Sequence, residues 1–197
     1  MSTSSSPPPP SSRDKAFNLT TTDAPTVERM ISWLYNRRIP IAAPTEETAE
    51  DVFQNLAELN AFANSYEMTA LINDVVDSLL EALKTSESWH IKLPQRLKLS
   101  EPWTCDEATL YPSLEVIEYV FATYTSHQFR QILIEWYGCH VDVAWMREER
   151  NKEVLNRCKE FRVALGGAVA REAKKGTVGK EACMSPLERE GGYYHEH

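Results

Sequence analysis

Between Glu50 and Leu83 the apolar residues fall into two helical stripes separated by one break. Val52, Leu56, Leu59, Ala63 and Tyr66 recur at steps alternating between four and three, which puts them on one face of a helix. The pattern breaks at Glu67–Met68. It restarts as Ile72, Val76, Leu79 and Leu83, widened by Leu71, Val75 and Leu80. Two short amphipathic helices joined by a tight turn must bury their stripes against each other and against a third element. The hairpin therefore demands helical partners elsewhere in the chain, and a mainly α fold is expected.

Those partners are legible on both sides. Residues 1–23 are rich in serine and hold Pro7 to Pro10, a composition that solvates its backbone and builds no core. Thr26 is the expected N-cap of a helix with Glu28 in its first turn and Val27, Met30, Ile31 and Leu34 facing the core. Pro40 limits Ile39–Ile41 to an edge strand at most. Thr48 and Asp51 approximate a capping box before the hairpin. From Lys84 to Pro112 no period is sustained, so Trp89 and Trp103 are expected in a connection with at most a short turn of helix.

Pro112 is expected at the first position of the next helix, whose stripe is Leu114, Ile117, Phe121 and Tyr124. Thr125 or Ser126 then caps a helix lined by Phe129, Ile132, Leu133 and Trp136 and ended by Gly138. A single helix is expected from Val143 to Leu165, with Val154, Cys158, Phe161 and Leu165 on its docking face and Gly166–Gly167 as its stop. Ala168 to His197 reads as a mobile tail. The aromatic residues Trp33, Tyr35, Phe62 and Tyr66 stand at helical spacing and are expected in the core.

Charge is distributed unevenly. The chain carries a formal −8, which argues against nucleic acid as a direct ligand. From Ile39 to Leu83 there is no lysine or arginine, whereas Arg147 to Lys180 is rich in both. Either these are two solvated faces, or the acidic run selects a basic partner or docks on the chain's own basic helix. Glu46, Glu47, Asp51 and Glu58 are the candidate partner-binding residues. No window approaches the roughly 20 apolar residues of a membrane span. Four scattered cysteines make no disulfide framework, so an intracellular setting, cytoplasm or nucleus, is expected.

Catalytic signals are weak. The sequence holds no nucleophile elbow, phosphate-cradling glycine loop or zinc-protease motif, and Ser126 beside His127 does not make a triad. No enzyme activity and no cofactor are expected. The runner-up from another class is a small helical enzyme or metal-binding protein using Cys183, His195 and His197, which lack the spacing of a paired-cysteine zinc site.

The run LAELNAFANSYEMTALINDVVDSL, with Ala63, Tyr66, Met68 and Leu71 in register, resembles the closing helical hairpin of BTB/POZ domains. Upstream, VERMISWLYNRRIPI is similar to the segment of that family in which a helix ends in a Leu-Tyr pair, here Leu34–Tyr35. Arg37 stands where the family usually has glycine. SLEVIEYVFATYTSHQFRQILIEWY resembles the region that follows the BTB part in many fungal BTB-containing proteins, with Phe129–Arg130 at the place of a Leu-Arg pair. The resemblance implies a partial BTB/POZ-like helical lobe at 24–84, a linker at 85–111, and a helical C-terminal lobe at 112–166 followed by a tail at 167–197. It also implies protein–protein interaction as a scaffold or adaptor, toward a cullin-type ubiquitin ligase or transcriptional partners. Residues before Ala24 show none of the strand pattern that opens the family's domain, so the family's homodimer stays open for this chain and does not follow from the resemblance.

Overall fold

Asp23 starts the first helix, α1 (Ala24–Asn36): its Oδ2 accepts the Thr26 amide at 3.2 Å, and Pro25 occupies the first turn. Thr26, expected as the cap, is instead buried one turn inside. At the other end Arg37 adopts φ 54° and ψ 32°, and its amide returns to the Trp33 carbonyl at 2.7 Å. That left-handed conformation is one glycine takes freely. The residue replacing the glycine of the resembled family thus has a backbone shape that favours glycine.

The computed structural model describes residues 23–40, 48–90, 112–141, 143–178, 186–188 and 193–195. Among the described residues every regular element is helical: α1 is followed by α2 (Ala49–Ser65), α3 (Thr69–His90), α4 (Leu114–Ala122), α5 (His127–His140), α6 (Val143–Arg147), α7 (Glu149–Arg157) and α8 (Lys159–Val178), with a 3₁₀ turn at Pro186–Glu188. The chain is mainly α. Ile39 and Pro40 form no strand, and Ile41 lies outside the described residues.

The central hairpin follows its two stripes. Val52, Leu56, Leu59 and Ala63 on α2, and Ile72, Val76, Leu79 and Leu83 on α3, are all buried, while Tyr66 is half-buried. Glu67 turns the corner at φ 55°, and the Met68 amide bonds to the Ala63 carbonyl at 2.9 Å. The helices are longer than expected, 17 and 22 residues. α3 continues past Lys84 to His90 and takes Trp89 into the helix; Trp103 lies outside the described residues. Thr48 stands at the N-cap of α2 without a side-chain capping bond, so the expected box with Asp51 does not form. α2 also buries Ala49, Phe53, Ala57, Asn60 and Phe62, because α1, α3 and α4 all pack against it.

Ser113, not Pro112, begins α4; its Oγ accepts the amides of Glu115 at 3.1 Å and Val116 at 3.4 Å. Pro112 is buried just ahead of the cap, and its carbonyl accepts the Tyr137 hydroxyl at 2.5 Å. α4 buries Val116, Ile117 and Val120, a face rotated from the expected stripe, and it ends at Ala122, so Tyr124 falls in the turn beyond it, 80% exposed. Ser126 caps α5 by accepting the Phe129 amide at 3.3 Å. The buried Asn60 on α2 accepts the Ser126 amide at 2.7 Å, and Arg130 donates to Thr125 Oγ1 at 3.0 Å and to the Thr123 carbonyl at 2.5 Å. Phe129, Ile132, Leu133 and Trp136 are fully inside, as their spacing requires.

The last third departs most from expectation. Val143 to Leu165 is three helices, with breaks at Glu148 and Cys158. Val154, Cys158, Phe161 and Leu165 are nevertheless all buried. Gly166–Gly167 do not stop the helix; α8 runs through them and packs along α5. Gly138 does not end α5 either. It is buried within the helix, where an added Cβ would lie 2.7 Å from the Cβ of Ala168 on α8. Here glycine permits two helices to approach, a packing role rather than a capping one.

Overpacking a tight core contact costs about 1–3 kcal/mol, whereas glycine-to-alanine in a helix regains about 1 kcal/mol. Ala168 has no flexible side chain to move aside, so the clash wins. Gly138→Ala is expected to lower stability in urea denaturation, and adding Ala168→Gly is expected to recover part of the loss. An unchanged or higher midpoint for Gly138→Ala would show that the α5–α8 approach is looser than 2.7 Å implies.

Near the C-terminus Leu187 packs against the core, Tyr194 is 5% exposed, and its hydroxyl donates to Glu135. The expectation of a mobile segment from Ala168 fails for α8 and for these residues. One continuous core runs from Met30 to Tyr194. Both expected lobes supply it, since α2 packs on α4 and α3 on α5.

Candidate interaction surface

The acidic residues of the hairpin are largely engaged within the fold. Glu50 accepts the Ser113 amide at 3.3 Å and also binds its hydroxyl, tying α2 to α4. Glu58 accepts Gln54 Nε2 at 2.9 Å and lies 3.9 Å from Arg29 Nη1, an ionic contact too long for a hydrogen bond. Asp74 accepts the Trp33 indole N–H at 2.6 Å, and Asp77 meets His195 Nε2 at 2.9 Å. Of the four candidate partner-binding residues, Asp51 is exposed at the start of α2, and Glu58 is half-buried against α1. Glu46 and Glu47 lie outside the described residues.

The basic helices use other partners. Arg157 is bidentate to Glu118 on α4, at 2.8 and 2.9 Å, and this contact holds the Glu118 carboxyl below its usual range. Glu160 pairs with Arg130, and Arg150 and Lys152 pair locally with Glu148 and Glu149. These pairs of Arg130, Arg150, Lys152 and Arg157 lie within the α4–α8 region rather than on the acidic hairpin.

The alternative metal set is not brought together by what is described. His195 faces Asp77; Cys183 and His197 lie outside the described residues. Among the described residues no group of three or more His, Cys, Asp or Glu side chains converges as a metal site. Cys158 is free and buried, and burial pushes its thiol pKa up, which suits packing better than reactivity. Cys139 is disulfide-bonded, which its scattered spacing did not announce. Burial also drives the Tyr137 hydroxyl pKa far up, so it stays protonated as a donor to Pro112.

The surface that stands out is on α1. Trp33 and Met30 face the core, fastened by the indole bond to Asp74 and by Arg29, whose Nη2 donates to Asn55 Oδ1 at 2.6 Å. With 100° per residue, anchoring Trp33 turns the helix by roughly a quarter turn from the expected face. Ile31, Leu34 and Tyr35 are thereby left 44%, 48% and 85% exposed. They sit at i, i+3 and i+4, one stripe on the outward side. The expectation that Ile31, Leu34 and Tyr35 are core is corrected; of the aromatic set, Trp33 and Phe62 are buried. The signal was available: α1 is apolar at Met30, Ile31, Trp33, Leu34 and Tyr35, more than one helix face can bury.

Among the described residues no helix is long and apolar enough to cross a membrane. No family model, no curated protein and no solved structure matches the chain.

Proposed function

We propose that this chain is a protein–protein interaction module of the adaptor type, and that the outward face of α1 is its principal contact. The observation that carries the reading is the stripe of Ile31, Leu34 and Tyr35, exposed on a helix whose inner side is pinned by Trp33 and Arg29. A rigid helix with an unpaired apolar stripe is preorganised for a partner groove, the recognition mode of amphipathic helices. The BTB/POZ resemblance of the same segment supports a cullin-type ubiquitin ligase as the partner.

Covering the three side chains contributes on the order of 4 kcal/mol at ordinary transfer values. A micromolar complex needs about 8 kcal/mol. The partner must therefore also engage polar surface around α1, and Arg37 and Arg38 at its end are exposed for that purpose.

Purified cullin N-terminal domain titrated onto the full chain tests this, with light scattering run alongside for self-association. Leu34→Glu is expected to weaken binding more than tenfold, while the unfolding midpoint moves by the ~0.5 kcal/mol typical of a surface change. Equal binding by wild type and variant would remove α1 as the contact. No binding at all, to the cullin domain or between copies, would remove the adaptor reading.

A further inference from the structure

We propose that the groove bounded by α6, α7 and α8 binds a short acidic peptide segment of a partner protein, seating one apolar side chain on its floor and carboxylates on its rim. The proposal uses a different face from α1 and stands independently of it. The groove encloses about 310 Å³ and is lined by Met146, Arg147, Lys152, Leu155, Asn156 and Arg162. It exists because the chain breaks twice in this region. At Glu148 the turn is held by Asn151, whose Nδ2 donates to the Trp145 carbonyl at 3.0 Å and to Glu148 Oε2 at 3.2 Å. At Cys158 the amide returns to the Val154 carbonyl at 3.0 Å, and the residue leaves helical geometry at ψ 64° before α8 begins at Lys159. A single straight helix, as the sequence suggested, would have no such hollow.

The cations on this rim are unpaired or only weakly committed among the described residues. Arg157 and Arg130 are committed to Glu118 and to the α4–α5 turn. Arg147 is exposed and has no ion-pair partner among the described residues. Lys152 has only an exposed local pair with Glu149 at 3.3 Å, and Arg162 bonds neutral Asn156. Exposed local pairs hold their charges weakly, so a ligand carboxylate competes for them readily.

Two observations favour a short acidic peptide over a nucleic acid or a bare phosphate. Glu148, Glu149, Glu153 and Glu160 are interspersed among the cations, so an extended phosphate track would meet carboxylates that a short peptide avoids. Met146 and Leu155 line the groove with apolar surface that phosphate does not use, and methionine adapts to varied side chains. The volume lies at the lower end of the roughly 300–1,000 Å³ of ligand pockets, room for a side chain rather than a large organic ligand.

The test is fluorescence anisotropy with a labelled Glu-Glu-Leu-Glu-Glu peptide on the full chain, at low and high salt. Comparison probes are the Gln-Gln-Leu-Gln-Gln and Glu-Glu-Gly-Glu-Glu peptides, inorganic phosphate and a short single-stranded DNA. Binding is expected for the first peptide, weakened by salt and by either peptide change. Arg147→Glu is expected to weaken it about tenfold, chiefly by reversing a rim charge. Arg171→Glu, the same charge change on α8 away from the groove, is expected to alter it less than twofold, which controls for net charge. Equal losses for the two variants would overturn the site. No binding of the peptide, or DNA or phosphate binding as well as it does, would overturn the ligand class.

Discussion

Phe161→Ala is expected to destabilise the entire chain by about 3–5 kcal/mol, not merely to loosen its C-terminal helices. Phe161 is fully buried, stands edge-on to Tyr137 with ring centroids 5.4 Å apart, and lies 5.2 Å from Phe121. Deleting the ring empties a junction where α4, α5 and α8 meet. Against a typical total of about 5–15 kcal/mol, such a loss is a large part of what keeps the chain folded. Because the core is continuous through α2–α4 and α3–α5 packing, urea unfolding followed by circular dichroism should remain one transition with a lower midpoint. Hydrogen exchange within α2 and α3 should accelerate as well. Two separated transitions, with hairpin exchange unchanged, would show that the N-terminal helices fold as a unit of their own.

The second large effect is expected at the other end of the same core. Leu59 is fully buried on α2, and Leu59→Ala should cost about 2–5 kcal/mol. Its neighbour Glu58 provides an internal control. The Glu58 side chain is 26% exposed and 3.9 Å from Arg29, a part-screened pair, so Glu58→Ala should cost no more than about 1 kcal/mol. Denaturation midpoints of the two variants should therefore separate clearly. Small and equal shifts would mean that α2 is not the centre of the core. A large loss for Glu58→Ala would mean that its contact with Arg29 carries much of the docking of α1.

How much of this was legible depended on whether one periodicity had a single way of being satisfied. The hairpin stripes from Val52 to Leu83 and the set Phe129, Ile132, Leu133 and Trp136 are narrow and unambiguous, and all but Tyr66 and Leu80 are buried. A cap at Thr125 or Ser126 was legible for the same reason, since the break before Phe129 offered few side-chain oxygens, and the structure uses Ser126. Where a helix had apolar residues on more than one side, the sequence could not choose. α1 offered Met30 with Ile31 and Leu34, or Met30 with Trp33; α4 offered Leu114 with Phe121, or Val116 with Val120. In α1 the choice went with Trp33, whose indole N–H finds Asp74 across the hairpin. Of the proposed sites, the acidic residues were visible as a run. That Glu50, Glu58, Asp74 and Asp77 have internal partners was not, because, apart from Gln54 four positions before Glu58, those partners stand between 29 and 118 positions away on elements not yet placed.

Local rules thus determined the helical class, the hairpin with its turn at Glu67–Met68, and the buried identity of Val154, Cys158, Phe161 and Leu165. Each follows from neighbours three and four residues apart, which the chain itself supplies. Tertiary structure alone decided what the glycines do. Gly138 and Gly166–Gly167 looked like helix ends because glycine has no Cβ and tolerates the left-handed turn. The same missing Cβ also lets two backbones come together, and α8 packs so closely on α5 that a methyl group at Gly138 would lie 2.7 Å from Ala168. Which of those two uses applies depends on a helix 30 positions further along, whose arrival no local pattern records.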